Sequence, residues 1–245
     1  MIKQAIISAG GLGTRLRPLT DTMPKPMVPV LGKPTLEWDI RQFKKHGITE
    51  FFLTLHYLPN VVMDYFGDGS KCGVKIKYFI EEQPLGEAGA IKKFESHLDP
   101  LFFYIYGDML TLMDYTNMAK AYEAKAAHDE RAVGMERVAK TDTYADADVV
   151  ELDDEGRFAA MHAKPHTQEY PNAYRTRGSF ILSKDLLRYI PDDKPLTLNK
   201  QIIPAAIADG KHFYAYESDD YSKAFDDTEK LQEVEAYLKK HAITF

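Results

Sequence analysis

Apolar positions along this chain follow two rhythms. Short continuous apolar runs predict buried strands over residues 4–8 (QAIIS), 50–55 (EFFLTL), 74–80 and 101–106 (LFFYIY). Helical spacing predicts helices over 34–46, where Leu36, Ile40 and Phe43 share a face and Pro34 suits the first turn, and over 60–66, 86–93 and 115–127. Strands this uniformly apolar, alternating with helices, imply a parallel sheet covered on both faces.

The second half reads differently. Residues 132–137, 148–152, 157–162, 179–182 and 212–216 are strand-like, and "DDEG" (153–156) is a hairpin signal. Helices are predicted over 184–189, 199–209 and 228–240. No Gly/Ser or Pro-rich linker and no repeat interrupts the chain, so an α/β core with a β-rich addition is expected in one domain.

Composition narrows the function classes. With 245 residues the chain can bury a sizeable core. A net charge of −6 speaks against a general nucleic-acid surface, so any functional cations must be concentrated locally. The lone cysteine, Cys72, excludes an intrachain disulfide and fits a reducing compartment. No run approaches the roughly 20 apolar residues that a membrane span needs. A cytoplasmic location without membrane or nucleic-acid partners is the expectation.

The local concentration of cations lies in residues 9–34, AGGLGTRLRPLTDTMPKPMVPVLGKP, which hold four glycines, two arginines and two lysines. Glycines after a strand let backbone N–H groups approach an anion closely. A P-loop is excluded because G-x-x-x-x-G-K-[ST] is absent, and the dinucleotide fingerprint fails at Leu16. What remains is an amide nest beside Thr14, Arg15, Arg17 and Lys25, a set suited to a triphosphate.

This run resembles the N-terminal signature of sugar-1-phosphate nucleotidylyltransferases, G-G-x-G-T-R-L-x-P-x-T followed by P-K-P and G-K-P. The resemblance continues in GDGSKCGVKIKYFIEEQPLGEAGAI (67–91), FYIYGDML (103–110) and FDDTEKLQEV (225–234). It implies a Rossmann-like, mixed, mostly parallel α/β sheet flanked by helices, with a β-rich sugar-binding lobe. The implied organisation is one nucleotidyltransferase domain over 1–245: a nucleotide core (1–130), a sugar-binding part (131–225) and a closing helix (226–245).

The implied reaction joins a nucleoside triphosphate to a sugar 1-phosphate and releases pyrophosphate. By resemblance, Arg15 and Lys25 are catalytic, and Ala9, Gly10, Gly11, Gly13, Thr14, Arg15, Gln83 and Gly86 bind the nucleotide. Lys164, with Asp148 and Gly178, is assigned to the sugar phosphate, and Asp108 and Asp227 to Mg²⁺. Asp226 and Asp227 also stand where a helix N-cap is expected. His162 and His166 flank Pro165, which breaks any helix that would align them on zinc.

The sugar side departs from the family pattern. Ala163 in "HAKPH" replaces the acid of E-K-P, "TRG" (176–178) replaces N-A-G, Asp148 replaces a glycine, and "DDTEKL" lacks the glycine and proline of G-T-P. These changes resemble mannose- and heptose-type enzymes. The segment EEQPLGEAGA resembles the guanylyltransferase version, with Glu81, Glu82 and Glu87 as acceptors for guanine. The alternatives are another base with another sugar or alditol phosphate, and a non-catalytic homologue that binds nucleotide-sugar. Such a homologue is expected to lose Arg15, Lys25 or Asp108, and all three are present. A homo-oligomer is left open.

Overall fold

The computed structural model describes residues 1–140, 147–166, 168–170, 173–192 and 194–244. It divides into two compact units, each discontinuous in sequence. One comprises residues 3–84, 105–115 and 220–245, and the other residues 1–2, 85–104 and 116–219.

The first unit is built on the apolar strands Gln4–Ser8, Glu50–Leu55 and Lys75–Ile80. They run parallel, with Ala5 opposite Phe51 and Phe51 opposite Ile76. Helix Thr35–Lys45 covers them with Leu36, Ile40 and Phe43, the last stacked on Tyr115 at 3.9 Å between ring centroids. Trp38 is buried and donates its indole N–H to Val30 O at 2.9 Å, so its polar edge is satisfied.

Two features of this unit gather its charged side chains at one edge. A small antiparallel sheet pairs Met109–Leu112 with Tyr221–Ala224 and sets Met109 opposite Ala224. The residues just outside that pair, Asp108 and Phe225–Asp226, therefore emerge at one end of the ladder. The closing helix Thr228–Lys240 then buries Val234 and Leu238 against Leu16, Val28, Val30, Trp38, Leu110 and Phe225. Leu16 thereby roots the glycine-rich turn in the same core.

The second unit is β-rich. Strand Tyr174–Ser183 pairs antiparallel with both Val149–Leu152 and Ala132–Lys140. Val149–Leu152 pairs with Phe158–His162 across the expected hairpin, and His212–Glu217 runs parallel to Ala132–Lys140. Helices Gly86–Lys92, Tyr115–Ala126 and Ile203–Ala208 also lie largely or wholly in this part of the chain. The mixed α/β class, with parallel strands flanked by helices and a β-rich part, is as the sequence predicts.

Several bounds differ from expectation. The strand expected over 179–182 begins at Tyr174, because the polar stretch YRTR pairs through its backbone even though it lacks apolar alternation. The helix expected over 199–209 opens with a π turn, Leu198–Ile202, before Ile203–Ala208, and 184–189 is a 3-10 helix. No helix among the described residues is long and apolar enough to cross a membrane.

Candidate active site

The glycine-rich turn leaves the carboxyl end of Gln4–Ser8. Ala9 is buried and donates its N–H to Thr54 O at 2.9 Å. Gly13 has φ +61°, and a Cβ there would lie 2.9 Å from both Lys25 Cβ and Thr20 Cγ2, so only glycine fits. Its carbonyl accepts from Thr20 Oγ1 at 2.8 Å and from Leu16 N at 2.9 Å. Gly10 is tight as well, because an added Cβ would sit 3.2 Å from His56 Cβ. Gly11 is different: a Cβ there meets nothing within 4 Å. The open space at Gly11 is where an outside group can approach the backbone. Thr14 and Arg15 follow in a 3-10 turn and are exposed.

Lys25 is the centre of a charge cluster. Pro24 and Pro26 flank it in the 3-10 turn Lys25–Met27, and its side chain is only 5% exposed. Its Nζ donates to Asp226 Oδ1 at 2.8 Å and lies 3.4 Å from Asp108 Oδ2. The guanidinium of Arg15 reaches Asp226 Oδ2 at 3.1 Å. Burial alone raises the Asp226 pKa. The hydrogen bond and charge of Lys25, with Arg15 and Lys230, outweigh that effect and hold the carboxyl below its ordinary value. Asp108 follows Gly107, whose N–H donates to Ser8 O at 2.8 Å. The turn after Leu101–Tyr106 is thus fixed beside the end of the first strand, at the carboxyl edge where open α/β sheets bind ligands.

The two adjacent aspartates have different duties. Asp227 is the N-cap of the closing helix, and its Oδ1 accepts from Lys230 N at 2.8 Å. Asp226 is the one that faces Lys25 and Arg15. Sequence reasoning set Asp227 with Asp108; the structure brings Asp226 to Asp108 through Lys25. Arg17 pairs with Asp21 at 3.3 Å. Asp39, wholly buried beside this site, was not singled out from the sequence. Burial drives its carboxyl well above the usual range, the Asp108 charge adds to this, and the Thr111 N–H opposes it. An aspartate inside an apolar helix pattern was the available signal.

The second unit holds the other candidates. Asp148 Oδ1 accepts from Lys164 N at 3.0 Å, and Asp148 O accepts from Thr176 N at 3.0 Å. Gly178, at φ +66°, donates its N–H to Glu136 Oε1 at 3.3 Å. Glu136 is fully buried. That desolvation raises its pKa well above the usual range, against hydrogen bonds from Gly178 and Asn199. Gly86 has φ +66°, and an added Cβ would sit 2.5 Å from Leu196 O. The Glu87 carboxylate accepts from Leu198 N at 3.1 Å, so one of its oxygens is already engaged. Gln83, in the first unit, is exposed.

A nucleotide-type α/β fold with cations and carboxylates gathered at a strand's carboxyl edge defines a class, and comparison with known proteins names it. The nucleotidyl transferase family model matches residues 4–238, and the chain belongs to that family. It is 31% identical over 228 residues to a UTP–glucose-1-phosphate uridylyltransferase of Synechocystis sp., covering 88% of this chain and 58% of that one. It is 37% identical over 183 residues to a D-glycero-alpha-D-manno-heptose 1-phosphate guanylyltransferase of Campylobacter jejuni, covering 75% and 77%. The chain thus spans little more than half the length of the cyanobacterial relative. Its fold matches the crystal structure of a putative glucose-1-phosphate thymidylyltransferase from Bacillus anthracis with a TM-score of 0.84 at 20% identity, covering 99% of this chain and 96% of that one.

Proposed function

We propose that this chain transfers a nucleotidyl group from a nucleoside triphosphate to a sugar 1-phosphate and releases pyrophosphate. The observation that carries this reading is the buried Lys25, held between Asp108 and Asp226 with Arg15 alongside, below a glycine turn left open at Gly11. The attacking sugar phosphate oxygen is already anionic at neutral pH, so no general base is needed. The task reduces to holding two anions together and neutralising the leaving group. Arg15 and the amides near Gly11 and Gly13 hold the outer phosphates. Lys25, once the triphosphate competes with its carboxylate partners, serves the α-phosphate. Lys164, Asp148 and Gly178 are assigned to the sugar phosphate.

The residues present fit Mg²⁺. That ion keeps several waters and takes one or two carboxylates plus phosphate oxygens. Asp108 and Asp226 are two such carboxylates already gathered about one cationic nitrogen. When bound, the ion supplies charge neutralisation at the leaving pyrophosphate.

The proposed donor is GTP, with a mannose- or heptose-type 1-phosphate as acceptor. Its support is the EEQPLGEAGA segment and the 37% identity to the heptose guanylyltransferase. Uridylyl transfer is the second reading, favoured by the match to the cyanobacterial uridylyltransferase. A pyrophosphate-release screen of GTP, UTP, CTP, ATP and dTTP against a panel of sugar 1-phosphates tests both levels. Activity only with UTP moves the base and keeps the class, and no release with any pair removes the enzyme reading.

A further inference from the structure

Helix Thr35–Lys45 carries one buried side chain that apolar packing does not explain. Leu36, Ile40 and Phe43 are wholly buried on its inner face, and Asp39 is buried as completely as they are. A carboxyl group in such surroundings costs stability unless its oxygens are bonded. Only one of them is: Oδ1 accepts from Thr111 N at 3.4 Å, and Oδ2 is buried with no hydrogen-bond partner among the described residues. Burial raises the Asp39 pKa well above the usual range; the Thr111 N–H opposes this and the Asp108 charge adds to it. Asp108 is thus close enough for its charge to be felt at position 39.

Asp39 holds the strand that presents Asp108. Strand Met109–Leu112 pairs with Tyr221–Ala224, with Thr111 opposite Ser222. From the helix side, Asp39 takes the Thr111 N–H, and Gln42, three residues further along the helix, donates its Nε2 to Met113 O at 2.8 Å. The helix therefore fastens this stretch at two backbone points. Asp108 lies between anchors of its own: Gly107 N donates to Ser8 O at 2.8 Å just before it, and Thr111 is bonded to Asp39 just after it. The Asp108 side chain is half exposed, so the backbone that carries it sets where it meets Lys25 Nζ, at 3.4 Å.

We infer that Asp39 is a positioning residue: by holding Thr111 N it fixes the backbone that presents the Asp108 carboxylate to Lys25. The catalytic side of this inference rests on the nucleotidyl-transfer reading above. Asp39 is wholly buried, so it reaches the reaction only through Asp108. An apolar residue at position 39 avoids the cost of a buried carboxyl but leaves Thr111 N without this partner. A reacting group misplaced by about 1 Å can lose on the order of 10²-fold in rate, so a loosened Asp108 is felt in turnover. Gln42 supplies the internal control, because it is buried on the same helix and bonds the same stretch of chain at the end further from Asp108.

The test compares Asp39→Asn, Asp39→Leu, Asp39→Ala and Gln42→Leu with wild type, all as the full chain, by pyrophosphate release, thermal melting and crystal structure. Asparagine keeps an oxygen for Thr111 N, so Asp39→Asn should hold kcat within about threefold of wild type. Asp39→Leu and Asp39→Ala should lower kcat by roughly 10²-fold with little change in KM for the triphosphate, the split expected when an interaction made in the transition state is lost. Gln42→Leu should melt below wild type and keep its kcat within about threefold. In the crystal, the contact between Asp108 and Lys25 should persist in Asp39→Asn and be lost in Asp39→Leu or Asp39→Ala. The inference is overturned if the leucine and alanine variants turn over as wild type does, if Gln42→Leu loses as much kcat as they do, or if their structures keep the Asp108–Lys25 contact unchanged. A wild type that releases no pyrophosphate with any substrate pair removes the reaction reading instead, and the Asp108–Lys25 contact in the variant structures then decides by itself whether Asp39 positions Asp108.

Discussion

Lys25 Nζ and Asp226 Oδ1 meet at 2.8 Å although 201 positions separate them in sequence. The lysine is almost wholly buried and the aspartate largely so. Removing the carboxylate leaves the buried cation with only the longer contact to Asp108 at 3.4 Å, so the pair is a structural commitment as well as a chemical one. In the proposed reaction a substrate phosphate takes the place of Asp226 as the partner of Lys25, so that one anion is exchanged for another.

Asp226 and Asp227 should separate cleanly under mutation. Asp227→Ala removes a helix N-cap and is expected to cost about 1 kcal/mol of stability, with retained activity. Asp226→Asn should abolish most nucleotidyl transfer. Denaturant unfolding and pyrophosphate release, measured side by side, check this. Comparable activity losses in both variants would return Asp227 to the site.

Arg15→Ala should lower turnover by roughly two to four orders of magnitude, the scale of a lost phosphate clamp. Its side chain is 72% exposed, so the melting temperature should barely move. Turnover within tenfold of wild type would remove the clamp assignment.

Gly11→Ala and Gly13→Ala should fail in different ways. At Gly13 the new methyl collides with Lys25 and Thr20 at a left-handed φ, and about 1–3 kcal/mol of stability should be lost. At Gly11 the methyl enters open space, so stability should hold while triphosphate affinity falls. If Gly11→Ala binds triphosphate as wild type does, backbone approach at that position is not used.

The buried Glu136 sets a pH dependence. Its pKa in the folded state is raised above the unfolded value, so the folded form binds more protons between the two values. Its contribution is therefore favourable below the ordinary glutamate range, and stability declines as pH rises from there toward the folded value. Glu136→Gln should flatten that decline, seen as a smaller loss of melting temperature between pH 5 and pH 8 than in wild type. Asp226 acts in the opposite sense: its lowered pKa contributes stability above the ordinary aspartate range that is lost as pH falls through the folded value.

Most strands and helices of the fold were legible because their apolar runs and periods are unambiguous, as in EFFLTL and LFFYIY. The small sheet of Met109–Leu112 and Tyr221–Ala224 was not, because each strand is short and its partner lies a hundred residues away. That sheet is what delivers Asp108 and Asp226 to one place. The choice between Asp226 and Asp227 was likewise illegible: two identical neighbouring side chains differ only in which one the closing helix takes as its cap. Gly13 and Lys25 could be named from spacing, but their mutual contact is a property of the folded turn. The burial of Asp39 is a property of the folded chain that spacing does not report.

The segment order of the first unit also bears on how the protein is made. Its three stretches are residues 3–84, 105–115 and 220–245, so the strand ladder and the glycine turn leave the ribosome long before the residues that complete them. Until the stretch after 220 is synthesised, Lys25 lacks Asp226, and Leu16, Val28 and Trp38 lack Phe225, Val234 and Leu238. A nascent chain halted before that point exposes this apolar surface and has no assembled charge cluster, the kind of state that aggregates readily. The Lys25–Asp226 pair can form only after the final helix has been made.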